Sequence, residues 1–317
     1  MQQDFETAKN LIGPSRNILL TMHERMDGDD GGALLAFGNY LEKAGKKVTY
    51  AIKKGVPPHL SFLPGSENIV DDIAKDDAFD LLIAFGCSSL ARCGSENIAA
   101  LEIATINIDH HPDNSLFGTI NLVDPKKSSV AELVYDFFLW AEWPLSQAAA
   151  TCLLTGIITD TGCFMHANTT ASALKAAANL MLKGAPINKI INRTFRHKPP
   201  HILKAWGRAM ENSYFDRRHK IIYSVMTDED LVDFKNLPQA AFEGFVETLN
   251  TVPEARFAMF LRQDGQVIKG SLRSDAFKNA DVAKAAKIFG GGGHKLAAGF
   301  SLLGKLQKDQ IGNWKII

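Results

Sequence analysis

Strand-like and helix-like stretches alternate along the first half of the chain, and this alternation limits the folds that are open to it. Short apolar runs typical of buried strands cover residues 18–22, 48–52, 81–85 and 105–108. Apolar residues recur at helical spacing over residues 32–44, 129–140 and 147–159. Strands that alternate with helices favour a parallel sheet with helices on both faces. The sequence therefore predicts an α/β fold for this part of the chain.

The second half of the chain has a different organisation. A basic stretch over residues 188–204 contains Pro199 and Pro200 near its end and predicts a connecting helix and linker. Strand-like runs follow at residues 220–226, 255–261 and 267–272, and residues 281–289 have a helical pattern. A length of 317 residues suits two domains. We therefore predict a first domain over residues 1–186, a linker over 187–205 and a smaller mixed-sheet α/β domain over 206–317.

Composition excludes several classes of protein. The chain has 35 Lys and Arg residues and 35 Asp and Glu residues, so no overall positive field attracts long nucleic acid. This balance favours small anionic substrates that are held by a local site. The four cysteines lack CxxC spacing and are expected to be buried thiols. The N-terminus lacks a secretory signal and no apolar run is long enough to cross a bilayer, so we expect a cytoplasmic protein without membrane contact.

Polar residues follow the first predicted strand with the spacing of a metal site. In the run His23-x-x-x-Asp27-x-Asp29, carboxylates two residues apart on an extended loop point the same way, and the histidine can close round the same ion. Oxygen-rich ligands with an imidazole suit manganese or magnesium. A polar loop whose acids, Asp29 or Asp30, cap a helix that begins near Gly31 is an alternative of equal weight.

The run Asp109-His110-His111 ends another predicted strand, where parallel sheets bind their ligands. A histidine alone is more often a structural residue than a ligand, but a neighbouring carboxylate commonly orients an imidazole that binds metal. Asp160 ends an apolar helix, where the helix dipole disfavours a carboxylate, so a cation partner would explain its position. An exposed terminal acid is the alternative for Asp160, with about equal weight.

The second domain offers a candidate anion site. Gly290, Gly291, Gly292 and Gly293 precede His294, and a backbone of this kind can approach an anion without intervening side chains. The alternative is a plain flexible loop. Arg273 and Ser274 follow a predicted strand of the same domain, where a guanidinium can clamp phosphate in a bidentate manner. The alternative is a surface arginine.

Together these segments resemble the DHH phosphoesterase family, in its branch of oligoribonucleases that also act on 3'-phosphoadenosine-5'-phosphate (pAp). The resemblance follows the family's order from about residue 17 to residue 300. Besides the two histidine runs, it rests on Asn121-Leu122-Val123-Asp124-Pro125, Ser129 with Ala131 and Glu132, Asp160-Thr161-Gly162, and the glycine run. It implies a parallel-sheet DHH catalytic domain, a helical linker and a DHH-associated substrate-binding domain.

By this resemblance, His23 and Asp27 would hold one manganese ion, with magnesium as the alternative metal. Asp29, His110 and Asp160 would hold a second ion. Asp109 would orient His110, so that Asp109, His110 and His111 form the catalytic run. Substrate phosphate would contact His111, Arg273, Ser274, Gly291, Gly292, Gly293 and His294. The expected reaction is in-line attack by metal-activated hydroxide on short oligoribonucleotides or on nucleotide phosphates such as pAp. A homodimer is a further expectation.

One position departs from the family's ligand set. In the family the strand at residues 81–85 ends in a metal-bridging aspartate, and this chain has Gly86 there. Asp30 is an extra acid beside Asp29 that would compensate in part. The departure predicts weak or single metal occupancy, because two divalent ions repel with less compensation when no group bridges them. It also leaves a second hypothesis, a nucleotide-binding homologue with weakened catalysis. If the rest of the site is intact, Gly86→Asp is expected to restore the bridge and raise hydrolysis by at least about tenfold.

Overall fold

The structure, a computed structural model, describes residues 2–196, 198–234, 237, 239–309 and 314–317. The chain forms two compact units that divide between residues 197 and 198. The helices of the first unit are α1 (Gln2–Ile12), α2 (Gly28–Lys43), α3 (Glu96–Ala99), α4 (Val130–Trp140), α5 (Gln147–Asp160), α6 (Ala171–Leu182) and α7 (Ile187–Thr194). Its strands are β1 (Asn17–Met22), β2 (Lys47–Ala51), β3 (Ile69–Val70), β4 (Leu81–Phe85), β5 (Thr105–Asp109) and β6 (Ile120–Val123).

The strands of the first unit form a parallel sheet in the order β3-β2-β1-β4-β5-β6. The order reverses between β1 and β4, which are neighbours in the sheet, with Ile18 opposite Leu81 and Met22 opposite Phe85. In doubly wound sheets, ligands bind beyond the carboxyl ends of the strands at such a reversal. The predicted α/β class with a parallel sheet is confirmed.

Alternate residues of each central strand enter opposite faces of this sheet. Ile18 and Leu20 of β1 belong to the main core, which they share with residues of α2, α4 and α5. Leu19, between them, packs instead into a smaller cluster that includes Ile98 of α3. The sheet is therefore covered on both faces, which explains why its strands are continuous apolar runs in the sequence.

Helix α5 lies close to α2 and α4, and Gly156 permits this approach. A Cβ at Gly156 would lie 2.5 Å from the Cβ of Ala131 on α4 and 2.9 Å from Oδ1 of Asp29 on α2. Any larger residue would therefore force the close-packed helices apart. The glycine allows the carboxyl end of α5, which carries Asp160, to reach the first turn of α2.

The second unit contains helices α8 (Pro200–Glu211), α9 (Asp228–Leu231), α10 (Phe245–Leu249) and α11 (Val282–Ile288). Its strands are β7 (Ser213–Asp216), β8 (Ile221–Met226), β9 (Phe257–Asp264), β10 (Val267–Arg273), β11 (Gly292–His294), β12 (Ala297–Leu303), β13 (Leu306–Lys308) and β14 (Trp314–Ile316). The main sheet has the order β11-β12-β10-β9-β8-β7, in which β8 and β9 run parallel and the other neighbours antiparallel. The predicted mixed sheet is confirmed.

One predicted element and one alternative interpretation differ from the structure. The segment expected to be one connecting helix contains α7 and α8, because a proline is accommodated in the first turn of a helix but not in its interior. Ile190 of α7 packs into the core of the first unit, and Ile202 of α8 packs into a core of the second. The glycine run, for which a plain flexible loop was the alternative, supplies strand β11 at the edge of the second sheet.

The cysteines of the described chain are free thiols: Cys87, Cys93 and Cys152 are buried, and Cys163 is half-buried. Burial raises the pKa of the Cys152 thiol well above its ordinary value, so it stays protonated at neutral pH. Across the described ranges, no helix combines the length and apolar character that crossing a membrane requires.

Candidate metal centre

The polar loop after β1 leads directly into helix α2. The side chain of Asp27 caps this helix, since its Oδ1 accepts a hydrogen bond of 2.9 Å from the backbone N–H of Asp30. The cap is therefore Asp27 rather than Asp29 or Asp30, and the helix begins at Gly28 rather than near Gly31. Capping uses one oxygen of Asp27, so the capping role and a ligand role do not exclude each other.

The first cluster consists of His23, Asp27 and Asp30. Nε2 of His23 lies 3.1 Å from Oδ2 of Asp27 and 2.9 Å from Oδ2 of Asp30. One ligand atom from each residue lies within 4.8 Å of the others. Burial disfavours charge on His23, but the hydrogen bonds and charges of the two acids outweigh it and raise the pKa of the ring to about 10. The protonated ring offsets part of the acidic charge.

The second cluster consists of Asp29, His110 and Asp160, which the structure brings together from α2, the loop after β5 and the end of α5. Nε2 of His110 lies 4.0 Å from Oδ2 of Asp29 and 3.8 Å from Oδ2 of Asp160. These distances are too long for hydrogen bonds. They suit ligands that face one small cation at about 2.1 Å each.

Asp29 also ties the second cluster to helix α4. Its Oδ2 accepts the N–H of Val130 at 2.7 Å, and its Oδ1 accepts the N–H of Ala131 at 2.8 Å. These first-turn N–H groups have no acceptor within their own helix. Burial, with the charges of three nearby acids, raises the pKa of Asp29 well above its usual value despite the hydrogen bond from Ala131. A cation beside this carboxylate would relieve that cost.

The ring of His110 is oriented by the backbone. Nδ1 lies 3.2 Å from the carbonyl oxygen of Lys127, and the Nδ1–H donates in this contact. The resulting tautomer directs the lone pair of Nε2 toward the carboxylates of the second cluster. We expected Asp109 to orient this ring. Asp109 accepts instead from the backbone N–H of His110, at 2.7 Å.

Asp109 is fully buried and orients the ring of His111. Its Oδ1 lies 2.6 Å from Nδ1 of His111, and Nδ2 of Asn114 donates to its other oxygen. Burial disfavours charge on Asp109, but these donors hold its pKa below the usual value. The same hydrogen bond raises the pKa of His111. The ring centroids of His110 and His111 are 4.8 Å apart. The His111 ring, which favours the protonated form, therefore lies beside the second cluster.

Asp160 precedes a strained turn. Gly162, Cys163 and Phe164 have φ angles of 55°, 58° and 66°, a left-handed run that costs energy at the two non-glycine positions. Nδ2 of Asn168 donates to Oδ2 of Asp160 over 3.1 Å. Burial raises the pKa of Asp160 to about 6, although its side chain is 33% exposed. The residue is therefore held in place and is not a freely exposed terminal acid.

The donor set of both clusters fits divalent cations. Each combines carboxylate oxygens with an imidazole, a combination that suits manganese or magnesium better than structural zinc. Within the part of the chain that the structure describes, Oδ1 of Asp30 is a buried acceptor without a hydrogen-bond partner. A buried carboxylate oxygen without a partner is costly, and a cation bound by this cluster would lower that cost.

The predicted phosphate contacts lie in the second unit. Arg273 ends β10, where its Nε donates to Oε1 of Glu247 over 2.7 Å and its Nη1 donates to the carbonyl of Leu272 over 2.9 Å. Ser274 is buried, and its hydroxyl donates to the carbonyl of Arg256. This hydrogen bond therefore helps to fix the end of β10.

The glycine run packs as an edge strand against β12. A Cβ at Gly291 or Gly293 would meet the backbone of β12 at 2.2 Å or 2.6 Å, so packing alone requires both glycines. Gly292 has open space around it, and Gly292 and His294 are exposed. An edge strand presents backbone N–H groups that can reach a ligand.

Three contributions to the site carry little sequence signal. Asn114 lies five residues after Asp109, and Asn168 lies eight residues after Asp160, at separations that fix no geometry until the loops fold. Lys127 acts through its backbone carbonyl, which any residue supplies. The sequence shows the extra acid Asp30, but its spacing does not predict that Asp30 lies beside His23.

Two family models match the chain. Residues 17–157 match the N-terminal domain of the DHH family, and residues 219–312 match the DHHA1 domain. The chain is 31% identical over 307 residues to the bifunctional oligoribonuclease and PAP phosphatase NrnA of Thermus thermophilus, covering 96% of this chain and 89% of that protein. It is 28% identical over 299 residues to the protein of the same name from Bacillus subtilis, covering 93% and 92%.

A solved structure agrees with these matches. The exopolyphosphatase-related protein from Bacteroides fragilis superposes with a TM-score of 0.88 at 26% sequence identity, covering 95% of this chain and 91% of that one. The chain therefore belongs to the DHH family and carries a DHHA1 domain.

Proposed function

We propose that this chain hydrolyses phosphate esters of short oligoribonucleotides and of nucleotide phosphates such as pAp, with manganese as the metal and magnesium as the alternative. The observation that carries the proposal is a pair of carboxylate and imidazole clusters in a chain 31% identical to a bifunctional oligoribonuclease and PAP phosphatase. Short substrates are favoured because the equal numbers of acidic and basic residues give no net field for long nucleic acid.

In this proposal, His23 and Asp27 hold one divalent ion, and Asp29, His110 and Asp160 hold the other. Bound divalent ions would lower the pKa of a water molecule and neutralise charge on the phosphoryl oxygens. The chain holds these ligands in place through contacts outside the clusters, such as the helix α4 N–H groups on Asp29. Ligands fixed in this way lose little conformational freedom when metal binds.

His111 supplies positive charge at a site that is otherwise acidic. Its hydrogen bond to Asp109 raises the pKa of the ring, and the protonated ring would donate to a phosphoryl oxygen. This charge offsets the repulsion between the carboxylates and an anionic substrate. We therefore assign His111 to substrate phosphate, and Asp109 to the orientation of His111.

We also propose that residues of the second unit bind substrate phosphate, with Arg273 and His294 as the charged or polar contacts. Glu247 and the carbonyl of Leu272 hold two donors of Arg273, which pre-orients the guanidinium for its remaining donors. Gly292 would offer its exposed backbone. Ser274, Gly291 and Gly293 would contribute by shaping the strand ends rather than by side-chain contact.

A nucleotide-binding homologue with weakened catalysis is the second candidate. Gly86 favours it, because a glycine at the end of β4 supplies no ligand. Both candidates predict nucleotide binding, and they differ in turnover.

The experiment combines metal analysis with turnover. The full chain is purified without chelator, its metal content is measured by mass spectrometry, and release of mononucleotide from a dinucleotide and of phosphate from pAp is followed with Mn2+ or Mg2+. We expect turnover of at least one substrate, its loss in His110→Ala, and its retention in His219→Ala, whose histidine pairs with Asp216 outside the clusters. Binding of both substrates without turnover by either metal would favour the second candidate.

A further inference from the structure

A side chain at position 86 would need the volume that the carboxylate of Asp30 occupies. Gly86 follows β4 with a φ of 59°, and a Cβ built on it would lie 1.8 Å from Oδ2, 1.9 Å from Cγ and 2.0 Å from Oδ1 of Asp30. These distances are far below any non-bonded contact, and the obstacle is the carboxylate group at the end of the Asp30 side chain. The space that a side chain at position 86 would fill is therefore already filled by the carboxylate of Asp30.

Asp30 is placed as a ligand would be. Asp30 lies in the first turn of α2 and is 2% exposed, and its Oδ2 is 2.9 Å from Nε2 of His23. Its Oδ1 has no hydrogen-bond partner among the residues that the structure describes. A buried carboxylate oxygen without a donor is costly, and a bound cation would remove this cost.

We propose that Asp30 is a metal ligand that takes over, from helix α2, the place of the aspartate that the family carries at the end of β4, and that Gly86 makes room for it. This inference rests on the proposed function, since it assumes a metal-dependent site. The ligand set then keeps its number of carboxylates and changes only the element that supplies one of them. Under this proposal Gly86→Asp alone does not restore a bridge, because the Cβ of the new residue would need the place that the Asp30 carboxylate occupies.

The test is a double-mutant cycle on Mn2+ binding by the full chain, measured by titration calorimetry and by the electron paramagnetic resonance signal of free Mn2+. The variants are Asp30→Asn, Asp30→Ala, Gly86→Asp and the double variant Asp30→Ala/Gly86→Asp. Gly55→Asp is the matched control, because Gly55 has a φ of 62° and no atom within 4 Å of its Cβ position. It measures the cost of an aspartate in the left-handed region without a steric clash.

We expect Asp30→Asn and Asp30→Ala to weaken Mn2+ binding by at least about tenfold. Gly86→Asp should bind no more tightly than the parent and should lower the melting temperature more than Gly55→Asp does. The double variant should bind at least about fivefold more tightly than Asp30→Ala, because the carboxylate then enters from position 86. If Gly86→Asp fails to fold while Gly55→Asp folds, the clash is confirmed, and the double variant still decides the ligand role.

Parent-like Mn2+ binding by Asp30→Asn overturns the proposal. Tighter binding by Gly86→Asp alone, or a double variant no better than Asp30→Ala, has the same consequence. Hydrolysis of a dinucleotide and of pAp is measured on the same samples, so the two claims separate. If the variants bind Mn2+ as expected but the parent hydrolyses neither substrate, the proposed function is refuted and the ligand role of Asp30 is retained. Turnover by the parent, together with parent-like Mn2+ binding by Asp30→Asn, supports the proposed function and refutes the ligand role of Asp30.

Discussion

Nδ1 of His111 lies 2.6 Å from Oδ1 of Asp109, and this contact raises the pKa of the His111 ring. Its nearest counterpart in the second unit is the pair of His219 and Asp216, also 2.6 Å apart, which lies on the surface. The two pairs have similar geometry in different surroundings, so one serves as a control for the other.

We predict that Asp109→Asn shifts the pH profile of hydrolysis. The raised pKa keeps the His111 cation present to higher pH in the parent, so removal of the carboxylate lets the ring lose its proton at lower pH. The fall of kcat/KM with rising pH should therefore move to lower pH, with a loss of about tenfold or more at pH 8. The measurement is kcat/KM for pAp from pH 5.5 to 9. Asp216→Asn should leave the profile in place, and an unmoved profile in Asp109→Asn contradicts the role of His111.

We predict that Asp160→Asn stabilises the metal-free protein at high pH. The pKa of Asp160 is raised to about 6 by burial, so its ionised form costs stability above about pH 6, and this cost is absent below the unfolded pKa of about 4. Because the side chain is 33% exposed, we expect a gain of only about 1 kcal/mol at pH 8 and none at pH 4.

Urea unfolding in the presence of EDTA measures this gain. Asp136→Asn, which removes an acid paired with Lys127 outside the clusters, should give none. Manganese binding should fall in Asp160→Asn but not in Asp136→Asn. An Asp160→Asn variant with equal stability at both pH values would show that the surroundings of Asp160 do not disfavour its charge.

We predict that metal uptake releases a proton from His23. Burial lowers the pKa of this ring, but hydrogen bonds to Asp27 and Asp30 outweigh it and raise the pKa to about 10, so the ring is protonated at pH 7. A ligand imidazole must be neutral, so binding at pH 7 should release about one proton from this ring, and affinity should rise as the pH increases toward 10.

Titration calorimetry in buffers with different ionisation enthalpies measures the released protons. His23→Gln should release about one proton fewer than the parent, whereas His219→Gln should match the parent. If the parent and His23→Gln release equal numbers of protons, His23 is not a ligand.

We predict that Arg273→Ala weakens pAp binding by about 1.5–3 kcal/mol, the range of a charge-assisted hydrogen bond to phosphate. Stability should change little, because the side chains of Arg273 and Glu247 are 31% and 32% exposed and exposed ion pairs contribute at most about 1 kcal/mol. Glu247→Gln removes the ion pair and keeps the guanidinium, so its effect on binding should be smaller. Equal affinities for the parent and Arg273→Ala would exclude this contact.

The parallel sheet was predictable because its central strands are buried on both faces. The predicted strand at residues 81–85 coincides with β4 (Leu81–Phe85), which is buried along its whole length. Strand β3 (Ile69–Val70) has two residues, too few to show any period. Strand β11 (Gly292–His294) consists of two glycines and a histidine, and nothing in their side chains marks a strand. Its position depends on the backbone of β12.

The site was only partly predictable, because its ligands depend on where one helix begins. We placed Asp27 and Asp29 on the same side of an extended loop. Helix α2 begins at Gly28, so Asp29 and Asp30 are successive helical residues about 100° apart around the axis. Asp29 therefore faces α4 and Asp30 faces His23. Helix boundaries are the least certain part of a sequence pattern, and here one boundary decides the partner of each acid.

The overlap of Asp30 with the side-chain position of Gly86 also bears on how sequences of this kind are compared. An aspartate at position 86 would need the volume that the Asp30 carboxylate fills, so the two positions are best compared as a pair. If Asp30 is a metal ligand as proposed, a column-by-column comparison of sequences would score this chain as lacking a ligand, whereas a comparison in space would score it as complete.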